Sequence, residues 1–200
     1  MATYNRAWLR SNVASYLHDQ NLGSTVDTFI DIGALRIGQM LESTANEKLA
    51  QFTITDATNP LPDDIVRMRA VFYQLDNGQS VALKSMPTHA IGRYGLSSTG
   101  TPLFYTIVGD NIVVRPFVAG TYEMDYWSTV AIGDADADTN PALTAYPFIF
   151  LNAALEAGYQ FKEDESMMMR SQALWTDEVT QINRASRKLA AGDVPAARSV

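Results

Sequence analysis

Residues 100–130 read GTPLFYTIVGDNIVVRPFVAGTYEMDYWSTV, and their chemistry decides the fold class. Thr101 to Val108 is rich in β-branched and aromatic side chains, Gly109-Asp110-Asn111 supplies a tight turn, and Ile112 to Phe117 resumes the apolar run. Beyond a second turn at Val118-Ala119-Gly120, Tyr122, Met124 and Tyr126 alternate with Glu123 and Asp125. This is the period-two pattern of a sheet with one face on a core and one in water. The stretch therefore predicts three consecutive antiparallel strands. Pro116 has no amide to donate, so the middle strand is expected to bulge or end there.

Working upstream, the β chemistry continues. Ile65 to Leu75 and Ser80 to Met86 flank Asp76-Asn77-Gly78, a hairpin signal, and Phe52-Thr53-Ile54-Thr55 predicts a strand before the turn-rich Asn59-Pro60-Leu61-Pro62-Asp63-Asp64. Pro87 to Thr99 reads as a connection with a short helical turn around His89 to Tyr94.

Helical spacing takes over on both sides. Residues 3–18 place Trp8, Val13 and Leu17 near one stripe, with Arg6, Arg10 and Asn12 largely off it. After Gly23, a second helix capped by Ser24 or Thr25 carries Phe29, Ile32, Ile37, Met40 and Leu41. Downstream, Tyr146 to Phe161 is apolar almost all round. Phe148, Leu151 and Leu155 line one face, and Phe150, Ala153, Ala154, Ala157 and Phe161 fill others, leaving Asn152, Glu156 and Gln160 polar. Such a helix is expected at the centre of a core or covered on a second side by another subunit. A last helix, Met167 to Leu189, carries Met168, Trp175, Val179 and Ile182 against Arg170, Asp177 and Arg184, and stops at Gly192. The predicted class is α+β. Two N-terminal and two C-terminal helices (1–48 and 144–200) form a helical bundle, and an antiparallel sheet or small barrel or sandwich is inserted at 49–143.

Composition excludes several functions. The absence of cysteine removes thiol catalysis, cysteine-ligated zinc and disulfide frameworks. With 15 Lys and Arg against 22 Asp and Glu, the net charge is -7, and no basic run exists to grip a phosphate backbone. An acidic surface past which DNA slides remains compatible with that balance. The N-terminal MATYNRAWLRSNVASYL lacks the apolar core of a secretory signal. No window approaches the ~18 to 20 apolar residues of a membrane span.

Few residues invite chemistry. Asp134, Asp136 and Asp138 have the alternation of the first half of a calcium loop, but Thr139 and Ala145 stand where its glycine and glutamate belong. The run reads as a solvated loop rather than a weak cation site. His18 falls at a helix end and His89 in a connection, both structural positions. Asp63-Asp64 and Glu163-Asp164-Glu165 could act as a glycosidase pair only at a set separation that adjacency does not test. They read as solvated or capping groups. Nucleophile-elbow, zinc-helix and phosphate-cradle motifs are all missing. No catalytic residue, metal ligand or cofactor is assigned.

The order of two helices, Leu61-Pro62-Asp63-Asp64 before a strand, Gly100-Thr101-Pro102 with Tyr105-Thr106-Ile107, Arg115-Pro116, Tyr122 to Trp127, and Ala153 to Ala157 followed by Lys162 and Asp164-Glu165 resembles the portal-tail adaptor proteins of short-tailed phages. The gatekeeper, or tail tubular A, proteins look like more distant relatives. The resemblance implies a non-enzymatic virion protein of the neck or tail, assembled in the host cytoplasm as a ring, commonly dodecameric. Its implied partners are further copies of itself, the portal protein and the tail nozzle or tube, with double-stranded DNA passing through the channel unbound and no membrane. Tail-associated glycan hydrolase and β-rich carbohydrate-binding module are the alternatives. Subunit contacts are expected at Phe148, Phe150, Leu151, Phe161, Met168 and Trp175. The segment 190–200, too small and weakly apolar to order itself alone, is expected to dock on the portal through Val194, Pro195, Arg198 and Val200.

Overall fold

The computed structural model describes residues 3–19, 21–92 and 100–190. In chain order they form α1 (Arg6–Tyr16), α2 (Thr25–Met40), β1 (Glu47–Ile54), β2 (Thr58–Pro60), β3 (Ile65–Gln74), β4 (Ser80–Ala82), β5 (Lys84–Ser85), α3 (Thr88–Ile91), β6 (Phe104–Val108), β7 (Asn111–Arg115), β8 (Gly120–Ser128), α4 (Pro141–Ala145), α5 (Pro147–Phe161) and α6 (Glu165–Ala190). The fold is α+β. The chain divides into two compact units, 1–46 with 129–200 and 47–128. The loop 129–140, grouped by composition with the β region, falls in the helical unit because its backbone is hydrogen-bonded to α1.

In the helical unit, α5 is the axis. Pro147 opens it where the missing amide is tolerated, and every residue from Ile149 to Tyr159 except Asn152 is buried. The covering comes from the same chain. α2 lays Val26, Phe29, Ile30, Gly33, Ala34 and Ile37 on the shared core, α6 adds Trp175 and Val179, and α1 adds Leu9 and Val13. A Cβ on Gly33 would stand 2.8 Å from the backbone nitrogen of Ala154, so α2 and α5 approach at backbone distance where only glycine fits. From Ile149 to Tyr159 the apolar surface of α5 is thus covered within one protomer, and Phe148 and Phe161 near its ends are exposed.

Ser24, expected to cap α2, stands at its N-cap but makes no side-chain capping bond, whereas caps not expected from the sequence are made elsewhere. The Asn5 side chain accepts from the Trp8 amide at 2.9 Å, and Asp164 accepts from the Met167 amide at 3.1 Å. The short α4, not expected from periodicity, is started by Asn140, which accepts from the Leu143 amide at 2.6 Å and donates to the Val130 carbonyl at 2.7 Å. The end of α2 borrows its cap from α6. Asn183 donates to the Met40 carbonyl and accepts from the Glu42 amide, each at 2.7 Å.

The β unit is two four-stranded sheets, in the orders β1-β8-β3-β4 and β2-β7-β6-β5, whose inner faces share one core of Ile54, Val71, Leu83, Tyr105, Ile112, Val114, Tyr122, Met124 and Tyr126. The expected strands at 100–130 are present, and β6 and β7 pair antiparallel around the Gly109-Asp110 turn. The three are not one meander. Beyond Pro116 the chain crosses to the other sheet, where β8 pairs with β1 and β3. β7 stops at Arg115, before a residue that cannot donate to a ladder. On β8, Tyr122, Met124 and Tyr126 are buried as the alternation predicts, with Tyr122 between Tyr73 at 5.0 Å and Phe52 at 5.8 Å.

The expected strand Ser80 to Met86 is split at Leu83. Its first half, β4, pairs with β3, and its second half, β5, pairs in parallel with β6. One short segment therefore stitches the two sheets together, and the β region is not wholly antiparallel.

Candidate interaction surface

Among the described residues of the helical unit, a densely connected polar constellation is internal. Arg6 is only 1% exposed, although helical spacing assigns it to the wet side of α1. Its Nε lies 2.8 Å from Asp27 Oδ1, its Nη1 2.9 Å from Asp31 Oδ1, and the same Nη1 donates to the carbonyls of Ile132 and Gly133 at 3.2 Å. Arg10, one turn on, shares Asp27 at 2.6 Å and pairs with Asp136. Burial opposes the charge on Arg6, but the carboxylates of Asp31 and Asp27 outweigh it, so the guanidinium pKa lies above its ordinary value. Burial likewise pushes the Asp27 carboxyl up, and hydrogen bonds from Arg10 and Arg6 more than reverse this, holding it below the usual carboxylate range.

These two arginines anchor the acidic loop. The Arg6 amide donates to the Asp138 carbonyl at 2.9 Å, the Ala7 amide to the Asp136 carbonyl at 3.0 Å, and Thr139 Oγ1 to the Tyr4 carbonyl at 2.8 Å. The first-turn amides of α1, which lack intrahelical partners, thus find acceptors on the loop. Asp138 folds back to accept from the Ala135 amide at 2.9 Å. The Asp134 and Asp136 side chains do face solvent, yet the loop is a clamp on α1 rather than a free connection. Among the described residues, no group of three or more His, Cys, Asp or Glu is placed to hold a metal ion.

The residues expected at a subunit interface separate into two groups. Phe150, Leu151 and Trp175 are buried in the protomer core, and Met168 packs partly against it. The Trp175 indole donates to Glu156 Oε2 at 2.7 Å, and Arg36 Nη1 lies 3.0 Å from the other carboxylate oxygen, an ion pair off hydrogen-bond geometry. These side chains are already occupied. Phe148 and Phe161 are 56% and 62% exposed and stand at opposite ends of α5.

Each exposed ring leans on a partner. Phe148 meets Trp8 edge-on at 6.2 Å, Trp8 meets Tyr4 edge-on at 5.0 Å, and Phe161 lies 5.6 Å from Phe29. An aromatic ring held on one side and open on the other is the form of contact anchor common at protein interfaces. Leu35 is also exposed, between Asp31 and Gln39 on the polar side of α2, a position that periodicity marks as out of place. The exposed Met169 and Leu174 of α6 add to the apolar surface. Val194, Pro195, Arg198 and Val200 lie outside the described residues.

Residues 4–199 match the family model described as SU10 adaptor protein. No curated protein matches the chain.

Proposed function

This chain belongs to the SU10 adaptor protein family, phage structural proteins, and on that premise we propose that it is the ring-forming connector that joins portal to tail nozzle and continues the DNA channel. The family match across nearly the whole chain carries this reading. The protomer's own properties support it. A net charge of -7 suits a channel that must release DNA rather than hold it. The exposed Phe148, Phe161, Leu35 and Leu174 give the helical unit apolar surface of the kind a neighbouring subunit covers. The protein acts without catalysis, in the neck of the virion, after assembly in the host cytoplasm. Its 190–200 segment docks on the portal.

The ring reading predicts that the protein, mixed with its cognate portal and examined by native mass spectrometry or negative-stain imaging, forms a closed ring on the portal. Phe148→Asp and Phe161→Asp should leave the far-UV spectrum unchanged and lower ring occupancy at least tenfold. Truncation after Leu189 should weaken portal binding and leave the fold intact. A protein that stays monomeric beside portal, or releases sugar from host glycans, overturns the reading.

A further inference from the structure

The hairpin from β3 to β4 turns at Leu75-Asp76-Asn77-Gly78-Gln79. The Gly78 amide donates to the Leu75 carbonyl at 2.9 Å, and the Leu75 amide donates to the Gln79 carbonyl at 2.8 Å. Gly78 sits at φ +80°, the left-handed region that favours glycine, and the space beside its Cα is empty to 4 Å. Asn77 is exposed, but its side chain is folded back on the turn. Its Oδ1 accepts from the Gln79 amide at 3.0 Å, and its Nδ2 donates to Gln79 Oε1 at 3.3 Å. The first of these bonds closes a ring that contains the Gly78 amide, so a side-chain amide carbon and a backbone nitrogen share one tight loop.

Asn77 is the one asparagine of the sequence that precedes a glycine. Elsewhere the same pair of groups is hindered. Asn59 and Asn140 precede prolines, whose nitrogen carries no hydrogen. Asn152 and Asn183 lie inside α5 and α6, where the next amide is held in the helical ladder. Asn12 and Asn111 are followed by the β-branched Val13 and Ile112, which crowd the nitrogen.

We propose that Asn77 is a site of spontaneous covalent modification, deamidated to isoaspartate and aspartate with water as co-reactant. Hydroxide removes the Gly78 amide proton, and the nitrogen attacks Asn77 Cγ to form a new N–Cγ bond. Negative charge passes to Oδ1, where the Gln79 amide already donates. Collapse of the tetrahedral centre breaks the bond from Cγ to Nδ2, which leaves as ammonia with a proton from water, and a five-membered succinimide remains. Water then opens the ring at either carbonyl. One opening gives aspartate on an unaltered backbone, and the other gives isoaspartate, whose backbone runs through the former side chain. One ammonia is lost and one water gained, with no change of oxidation state. The bond from Gly78 to Leu75 must break before the attack, so opening of the turn sets the rate. β4 pairs with β3 through only Ser80, Val81 and Ala82, and such an opening is local. Either product adds a negative charge to a chain of net charge -7, and isoaspartate lengthens the turn.

Peptide mass mapping of the full-length protein, sampled over time in mildly alkaline buffer, tests this. The peptide that carries Asn77 should gain about one dalton as two separable products of equal mass, about tenfold faster than the peptide of any other asparagine. Asn77→Gln, which would have to close a larger ring, should abolish the gain. Asp76→Pro stiffens the second position of the turn and should slow conversion about twofold to fivefold, with the far-UV spectrum unchanged. An Asn77 peptide that gains no mass while other asparagines convert overturns the inference, as does a single aspartyl product without its isomer. An unchanged rate in Asp76→Pro overturns the control assigned to turn opening.

Discussion

Replacing Arg6 by Met keeps the length and apolar stem of the side chain and removes its charge from the best-connected ionic site of the helical unit. Asp27 retains Arg10 at 2.6 Å, and Asp31, with its side chain 55% exposed, returns to water at little cost. The Ile132 and Gly133 carbonyls lose a charged donor, an interaction worth about 1.5–3 kcal/mol each when it is well formed. Both are at 3.2 Å, so the lower end applies, and Asp27 loses one of its two cations. The release of a buried guanidinium from its desolvation offsets part of the sum. The net destabilisation should be about 3 kcal/mol, at the low end for breaking a buried ion pair. With an m-value of about 1.5 kcal/mol per molar urea, the midpoint read by circular dichroism at 222 nm falls by about 2 M. The pH dependence follows from Asp27. Its folded pKa is depressed, so its stabilisation is present above its unfolded value of about 3.9 and is lost as pH falls through the folded value. In the variant the depression is smaller. The gap between wild type and variant should therefore be largest near neutral pH and should narrow below about pH 4. A midpoint shift under about 0.5 M, or a gap independent of pH, would refute the role assigned to Arg6.

Gly33→Ala drives a methyl to 2.8 Å from the Ala154 nitrogen. The helices must part, and calorimetry should show a net loss of about 1–2 kcal/mol despite the gain in helix propensity. Trp175→Phe removes the indole donor at 2.7 Å from the buried Glu156, and urea unfolding should show a loss of about 1–3 kcal/mol. In the acidic loop, Asp134→Asn should leave the melting temperature unchanged, because that side chain is 99% exposed and 3.9 Å from Arg6. Asp138→Ala should cost about 1 kcal/mol through the lost Ala135 bond. The wild-type melting temperature should be the same in calcium and in chelator; a difference would mean that the loop holds a cation.

What the sequence determined by itself is local. Alternation in Tyr122-Glu123-Met124-Asp125-Tyr126, turn residues at Gly109-Asp110 and Asn77-Gly78, and Pro147 at a helix start each act within a few residues, so strands and helices could be placed from them. The adaptor family was legible in the same way, from motifs along the chain. The tertiary structure alone decided what depends on partners distant in sequence. The charge on Arg6 argues for a wet position until Asp27, Asp31 and the Ile132 carbonyl, 126 residues away, are brought around it. Phe148, Phe150, Leu151 and Trp175 are equally apolar on paper, and only the packing of α2 and α6 on α5 shows which are occupied and which remain exposed. The crossing of β8 to the other sheet, and the division of the segment at Leu83 between β3 and β6, follow from strand pairing. Pairing is set by register between remote segments, and a single strand's pattern records which face is buried but not which neighbour lies at its edge.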